Sequence, residues 1–301
     1  RKDNILKRRT PERLIAGLIA ASILAKCGCE LRGVPGFFRI DGVWCFNLEP
    51  GMLIPTRNAV GQIVALQVRR DKPSDWNDYC KRTGQNKEFL RYMTISAKGL
   101  PDGVTTDISQ AHFPLGNDSL DDPETAVCIT EGPLKADAAV ELKGNRKMFF
   151  IALHGTSNTK TLPAIFAWLK GKGVETVFNV FDMDKVTNVN VAKAGKRVRA
   201  IAAGYGIKLA EKCWDAEYAQ QKLSELNAIC CEHGIFVPTT FNVFTDLANV
   251  SQELAKRNIR HSRVKNADGL EEKHYWSDKT KGIDDYLLSI RTATGGEGTS
   301  A

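Results

Sequence analysis

The stretch Val127–Leu142, VCITEGPLKADAAVEL, decides how the chain is read. A short apolar run stops at an acid, Glu131, and a glycine, Gly132. The helix formers of LKADAAVEL follow at once. A buried strand that turns directly into a helix is the first half of a βαβ unit. The same texture continues downstream. KMFFIAL (147–153) reads as a strand and TKTLPAIFAWLKG (159–171) as a helix. VETVFNVFD (174–182) reads as a strand, VNVAKAGKRVRAIAAGYG (189–206) as a helix and IKLAEKCW (207–214) as a strand. Strands alternating with helices of this length predict an α/β fold. Its sheet is mostly parallel, its helices flank the sheet and its crossovers are right-handed.

Upstream the signals are different. PERLIAGLIAASILAK (11–26) has helical spacing, with Pro11 suited to a first turn. Beyond GVPGFF (33–38), strand and turn signals run to about Gly116. GMLIPTRNAVGQIVALQVRR (51–70) reads as strand, turn, strand, with the turn at Asn58–Gly61. Ile63, Ala65, Gln67 and Arg69 are expected on one face of the second strand. The acidic linker NDSLDDPETA (117–126) separates the two textures. Three segments follow: a basic α+β subdomain at 1–122, the sheet domain at 123–290 with an insertion at about 215–277, and a disordered tail at 291–301.

Composition is that of a globular protein, 43% hydrophobic and 26% charged over 301 residues. No apolar run reaches the roughly 20 residues of a membrane span, so no membrane partner is expected. The apolar N-terminal piece lacks a small-residue cleavage site and suits an amphipathic helix better than a signal peptide. The eight cysteines form no C-x-x-C pair. Cys27 and Cys29 resemble half of a metal site, but no second pair or nearby histidine completes it. Reduced thiols in a cytoplasmic protein are the expectation. The formal charge is +7. Its distribution is lopsided: Arg1, Lys2, Lys7, Arg8, Arg9 and Arg13 crowd one end, and Arg69, Arg70, Lys72, Lys81, Arg82, Lys87 and Arg91 fill a later window. Such clusters predict contact with a polyanion, nucleic acid or nucleotide.

Ligand sites in open parallel sheets lie at the carboxyl ends of strands. Three acidic motifs are expected there: Glu131 after AVCIT, Asp182 and Asp184 after ETVFNVF, and Asp284 with Asp285 after KGI. Strand periodicity would put Asp182 and Asp184 on one side of a strand end. Clustered carboxylates repel, and a divalent cation removes that cost. Acids at strand ends also cap helices. Three such motifs in one domain favour a metal site, with Mg²⁺ (or Mn²⁺) as the hard cation for oxygen ligands. Gly132 permits a tight turn beside the carboxylate. Lys135, one turn into the helix, is placed to meet a phosphate.

Glu-Gly after the first strand, D-x-D after the third and a further acidic pair resemble the Toprim domain of bacterial replicative primases, topoisomerases and related nucleases. The upstream stretch, with Arg57, Arg69, Arg91, Tyr92 and Ser96, is similar to the basic ridge that precedes that domain in primases. LRGVPGFF, TEGPLKADAA, LHGTSN, FDMD and KGIDDYL are similar to a domain-of-unknown-function family. That family occurs in primase–helicase-like proteins of plasmids, phages and integrative elements. The resemblance covers about residues 31–290. It implies a Toprim, Rossmann-like sheet and magnesium-dependent, primase-like nucleotidyl or phosphoryl transfer on single-stranded DNA during mobile-element replication. It also implies roles. Asp182 and Asp184 would hold Mg²⁺. Glu131 would hold a second ion or act as general base, and Asp284 or Asp285 would complete the shell. Lys135 and Arg69 would bind the triphosphate, and Arg57 and Arg91 template phosphates.

Two other readings stand beside this one. A Toprim nuclease would use the same ions to activate water. A non-catalytic DNA-binding adaptor would dock to a replicative helicase. The lack of a recognisable zinc-binding domain favours the adaptor, and retention of all the acids favours chemistry.

Overall fold

The computed structural model describes residues 11–47, 50–71, 91–105, 110–186, 188–212, 214, 227–228, 230–232, 234–235, 264–265, 271–272 and 281–293. The basic residues at 1–9, the window 72–90, the tail from 294 and most of the insertion lie outside them. The side chains of Arg13 and Asp184 also lie outside. The chain divides into two compact units, Arg1–Gln110 and Ala111–Ala301. That division falls earlier than the linker at which the sequence places it.

In the first unit, helix α1 (Pro11–Lys26) precedes a hairpin of β1 (Phe37–Ile40) and β2 (Val43–Phe46). A three-stranded antiparallel sheet follows, ordered β3 (Gly51–Arg57), β4 (Ile63–Arg70) and β5 (Tyr92–Thr94). Ala21, Leu31, Phe37, Phe46, Val68 and Ile95 make its core, with the Phe37 and Phe46 rings stacked at 4.5 Å. The helix approaches β2 so closely that a Cβ on Gly17 would meet the Phe46 carbonyl oxygen at 2.3 Å. The turn between β3 and β4 is an asparagine turn: Asn58 Oδ1 accepts from the backbone N–H of Val60 and Gln62. A register shift at Thr56/Arg57 breaks strict alternation. It sets the exposed Ile63 apart, while Ala65, Gln67 and Arg69 keep an unbroken register and share the face expected for β4.

The second unit is built on four parallel strands: β6 (Ala126–Glu131), β7 (Met148–Leu153), β8 (Thr176–Asn179) and β9 (Lys208–Glu211). Their spatial order is β7-β6-β8-β9. Helices α2 (Pro133–Leu142), α3 (Leu162–Gly171) and α4 (Val189–Gly204) connect them. From β6 the chain steps one way to β7, then crosses back over β6 to β8. Right-handed crossovers in opposite directions put helices on opposite faces. Strand alternation sorts the core accordingly. Val127, Ile129, Ile151 and Val177 pack with the α3 and α4 residues Phe166, Leu169 and Val198. Cys128, Phe150, Ala152 and Val180 pack with α2 and with α5 (Ile283–Ala293) through Ala136, Ala139, Ile283 and Leu287. This is the α/β fold with a mostly parallel, helix-flanked sheet that the alternation predicts.

A further edge is laid against β7 by the segment before β6. His112 and Ala152 exchange both backbone hydrogen bonds at 2.8 Å. The Asn117 side chain bonds both the N–H and the carbonyl of Phe150. The short two-residue strands β10 (Val264–Lys265) and β11 (Glu271–Glu272) pair antiparallel within the insertion.

Two local expectations are corrected. β8 ends at Asn179, and Met183–Val186 form a 3-10 turn. Asp182 and Asp184 therefore do not alternate along a strand. Asp284 and Asp285 do not follow a strand either; they occupy the first turn of α5.

Candidate functional site

The order β7-β6-β8 makes the carboxyl ends of β6 and β8 the point where the chain reverses its direction across the sheet. Crevices in open α/β sheets form there. Glu131 is the last residue of β6, and Asp182 lies just beyond β8. Gly132 takes φ +84°, a left-handed conformation costly for any residue with a Cβ, and its N–H donates to the Leu153 carbonyl at 2.8 Å. That turn lets α2 start immediately and swings Lys135 back over the strand ends.

Lys135 joins the two acids. Its ammonium pairs with Asp182 Oδ1 and stands 3.8 Å from Glu131 Oε1. The carboxylates are thus no farther apart than two ion-pair contacts end to end. Asp182 is nearly fully buried, and Lys281 approaches its other oxygen at 3.6 Å. The Lys281 carbonyl accepts the Met183 N–H at 2.9 Å, which ties the start of α5 to the Asp182 turn.

Asp284 and Asp285 have different tasks. Asp285 Oδ2 accepts the Gly282 N–H at 2.9 Å, closing the first turn of α5 as an acid at the third helical position does. Asp284 Oδ1 is buried and accepts no hydrogen bond. Burial, and then the neighbouring Asp285, raise the Asp284 carboxyl above its ordinary range, while Lys135 pulls the other way. The Lys135 ammonium that joins Glu131 and Asp182 thus acts on Asp284 as well, whose Oδ1 is left unsatisfied. A Cβ on Gly282 would sit 2.2 Å from that same oxygen.

The turn that carries Asp182 is fixed from beneath by a lysine that sequence reading passed over. Lys185 is buried. Its ammonium donates to the carbonyls of Asn179 at 3.1 Å and Lys212 at 2.6 Å, with Glu211 Oε2 at 3.8 Å. It closes the open ends of β8 and β9. Its place inside D-M-D-K was visible, but nothing in the sequence says that this lysine is inside.

A second buried polar group missed by sequence joins α2 to the edge segment before β6. His112 is fully buried, and its Nε2 lies 2.9 Å from Asp137 Oδ1 on α2. His154, the residue after β7, lies near enough for the His112 ring to act on it. Burial, and then His112, push the His154 imidazole down to about 4.

Among the described residues, no three acidic, histidine or cysteine side chains stand close enough to hold a metal ion between them. Two hard oxygen donors, Glu131 and Asp182, share one cation, and that cation is the Lys135 ammonium. Mg²⁺ commonly takes only one or two protein carboxylates and completes its shell with water and phosphate. This donor set fits that pattern.

Arg57, Arg69 and Arg91 lie in the first unit. Arg69 stands opposite Tyr92 and Met52 across the strands, and the Arg70 N–H donates to the Arg91 carbonyl at 2.7 Å. Lys135, Glu131, Asp182, Asp284 and Asp285 lie in the second. Among the described residues, no helix is long and apolar enough to cross a membrane. No protein-family model and no curated protein matches the sequence. Among solved structures, the chain is similar to the Aquifex aeolicus primase crystallised as its zinc-binding and RNA polymerase domains. Identity is 12% and the TM-score is 0.38, and the match covers 74% of this chain but only 43% of that one.

Proposed function

We propose that the second unit is a Toprim domain that carries out magnesium-dependent, primase-like nucleotidyl transfer on single-stranded DNA, in the replication of a mobile element. The observation that carries the reading is the pairing of Glu131 and Asp182 at the reversal point of the sheet, bridged by one ammonium. A crevice that holds two carboxylates around a cation suits a phosphate-bound metal.

Asp182, with Asp184 two residues on, would hold Mg²⁺ or Mn²⁺, and Glu131 would hold a second ion or take the proton of the attacking hydroxyl. When bound, the metal would supply charge neutralisation at the phosphoryl centre. Lys135 holds the acids together in its absence and would turn to the triphosphate when substrate arrives. Asp284 or Asp285 would complete the shell, and the unsatisfied Asp284 Oδ1 favours the first. Arg57 and Arg91 would hold strand phosphates and so position the template.

The test is incubation of the chain with end-labelled single strands and Mg²⁺ or Mn²⁺, with and without nucleotides. Extension or primer products that require nucleotides support the proposal. Shortened strands without nucleotides would assign a nuclease. Binding with neither product would assign the adaptor, for which a helicase partner would then be sought.

A further inference from the structure

Away from the carboxylates, a cavity of about 400 Å³ opens between α5 and the face of β8. Cys128, Phe178, Val180, Ile283 and Leu287 floor it. Burial pushes the Cys128 thiol up to about 12, so the floor carries no charge at neutral pH. Trp214 and Tyr286 flank it as a stacked pair, ring centroids 5.7 Å apart and planes 22° apart. Its remaining lining includes Arg146, Lys147 and Lys212, and no acidic residue. Lys147 is already neutralised by Asp122 and Glu124, each at 2.8 Å. Arg146 and Lys212 are exposed, and among the described residues neither has a carboxylate partner. The Lys212 ammonium lies 4.8 Å from the Phe178 ring centroid.

We propose that this cavity binds a nucleobase together with its phosphate, the base against Trp214 and Tyr286 and the phosphate at Lys212 and Arg146. Its volume lies within the ordinary range of small-molecule sites, about 300–1,000 Å³. The apolar floor rejects a bare anion, which would lose its hydration there. Two exposed cations in a lining with no acid reject a cationic ligand. A planar ring with an attached phosphate satisfies both parts, as in the stacking platforms that bind single strands. Lys185 links the site to the Asp182 turn: it holds that segment and lies 5.3 Å from the Trp214 ring centroid. The proposal goes beyond the metal-dependent reading and does not rest on it.

The ligand's source is either a free nucleotide or a base of a bound strand. Calorimetry in EDTA with ATP, and fluorescence anisotropy in EDTA with a labelled oligothymidylate, separate them, using the full chain. EDTA removes any divalent ion, so the fate of the carboxylate reading does not enter. Lys212→Glu changes an exposed residue and should leave the melting temperature intact. It should weaken binding of at least one probe about tenfold or more, and Trp214→Leu should do the same through lost stacking. Weakened ATP binding assigns a nucleotide site, and weakening of the strand alone assigns a strand site. No binding of either probe to wild type would overturn the proposal. So would affinities unchanged in Lys212→Glu.

Discussion

Lys135 pairs with Asp182 across the reversal point of the sheet while standing 3.8 Å from Glu131 one helical turn behind it. The ammonium thus occupies the position between two carboxylates that a divalent ion would contest. The site is assembled around charge compensation by the chain itself, and that has consequences for stability.

Lys135→Ala leaves Asp182 buried beside Glu131 with Lys281 as its remaining partner. Removing one member of a buried pair costs up to about 3–5 kcal/mol, and the partial exposure of Lys135 reduces this to about 1–2 kcal/mol. Thermal melting of the variant should show that loss in EDTA. Added Mg²⁺ should recover more stability in Lys135→Ala than in wild type. Equal responses to Mg²⁺ would mean that lysine and ion do not compete for one place.

Lys185→Met removes the ammonium that closes the ends of β8 and β9. The Asn179 and Lys212 carbonyls would lose a buried donor and Glu211 a partner. About 2–4 kcal/mol of stability should be lost in urea unfolding. Mn²⁺ affinity should fall as well, because the Asp182 turn is no longer pinned. Loss of stability with unchanged Mn²⁺ affinity would restrict Lys185 to the fold.

Asp285→Ala and Asp284→Asn should separate in sign. The first deletes the carboxylate that caps Gly282 and should cost about 1 kcal/mol. The second removes a buried charge with an unsatisfied oxygen, so the metal-free protein should melt higher. Parallel melting curves at neutral pH decide it; destabilisation by both would contradict the division of labour.

His154 gives a pH signature. Its folded-state value, about 4, lies below the ordinary histidine value of 6.5. The folded state therefore binds a proton less readily than the unfolded chain. This contribution to stability is present above about pH 6.5 and is lost as pH falls toward 4. His154→Asn should flatten the melting temperature across that interval; an unchanged slope would assign the acid sensitivity elsewhere.

The alternation of apolar runs with helix formers carried the sheet and its flanking helices because burial on both faces leaves continuous apolar strands. Glu131 at the end of β6 was legible for the same reason. The Asp182 turn was not: a 3-10 turn differs from a strand end by packing, and its anchor, Lys185, is a charged residue whose burial depends on carbonyls at the ends of the neighbouring strands β8 and β9. The helix-capping place of Asp285 was not legible, because a capping acid and a metal-binding acid have the same sequence signature. The edge around His112 fell before the apparent linker, in AHFPLG (111–116), a stretch too short and too broken by Pro114 to read as a strand.

The most direct test is primer synthesis on a single-stranded template with Mn²⁺ and nucleotides, comparing wild type with Asp182→Asn, with the melting temperature followed in parallel. The account predicts a loss larger than the roughly 10- to 100-fold that changes outside the ligand shell produce, with oligonucleotide binding retained. Full activity in Asp182→Asn at unchanged stability would contradict it.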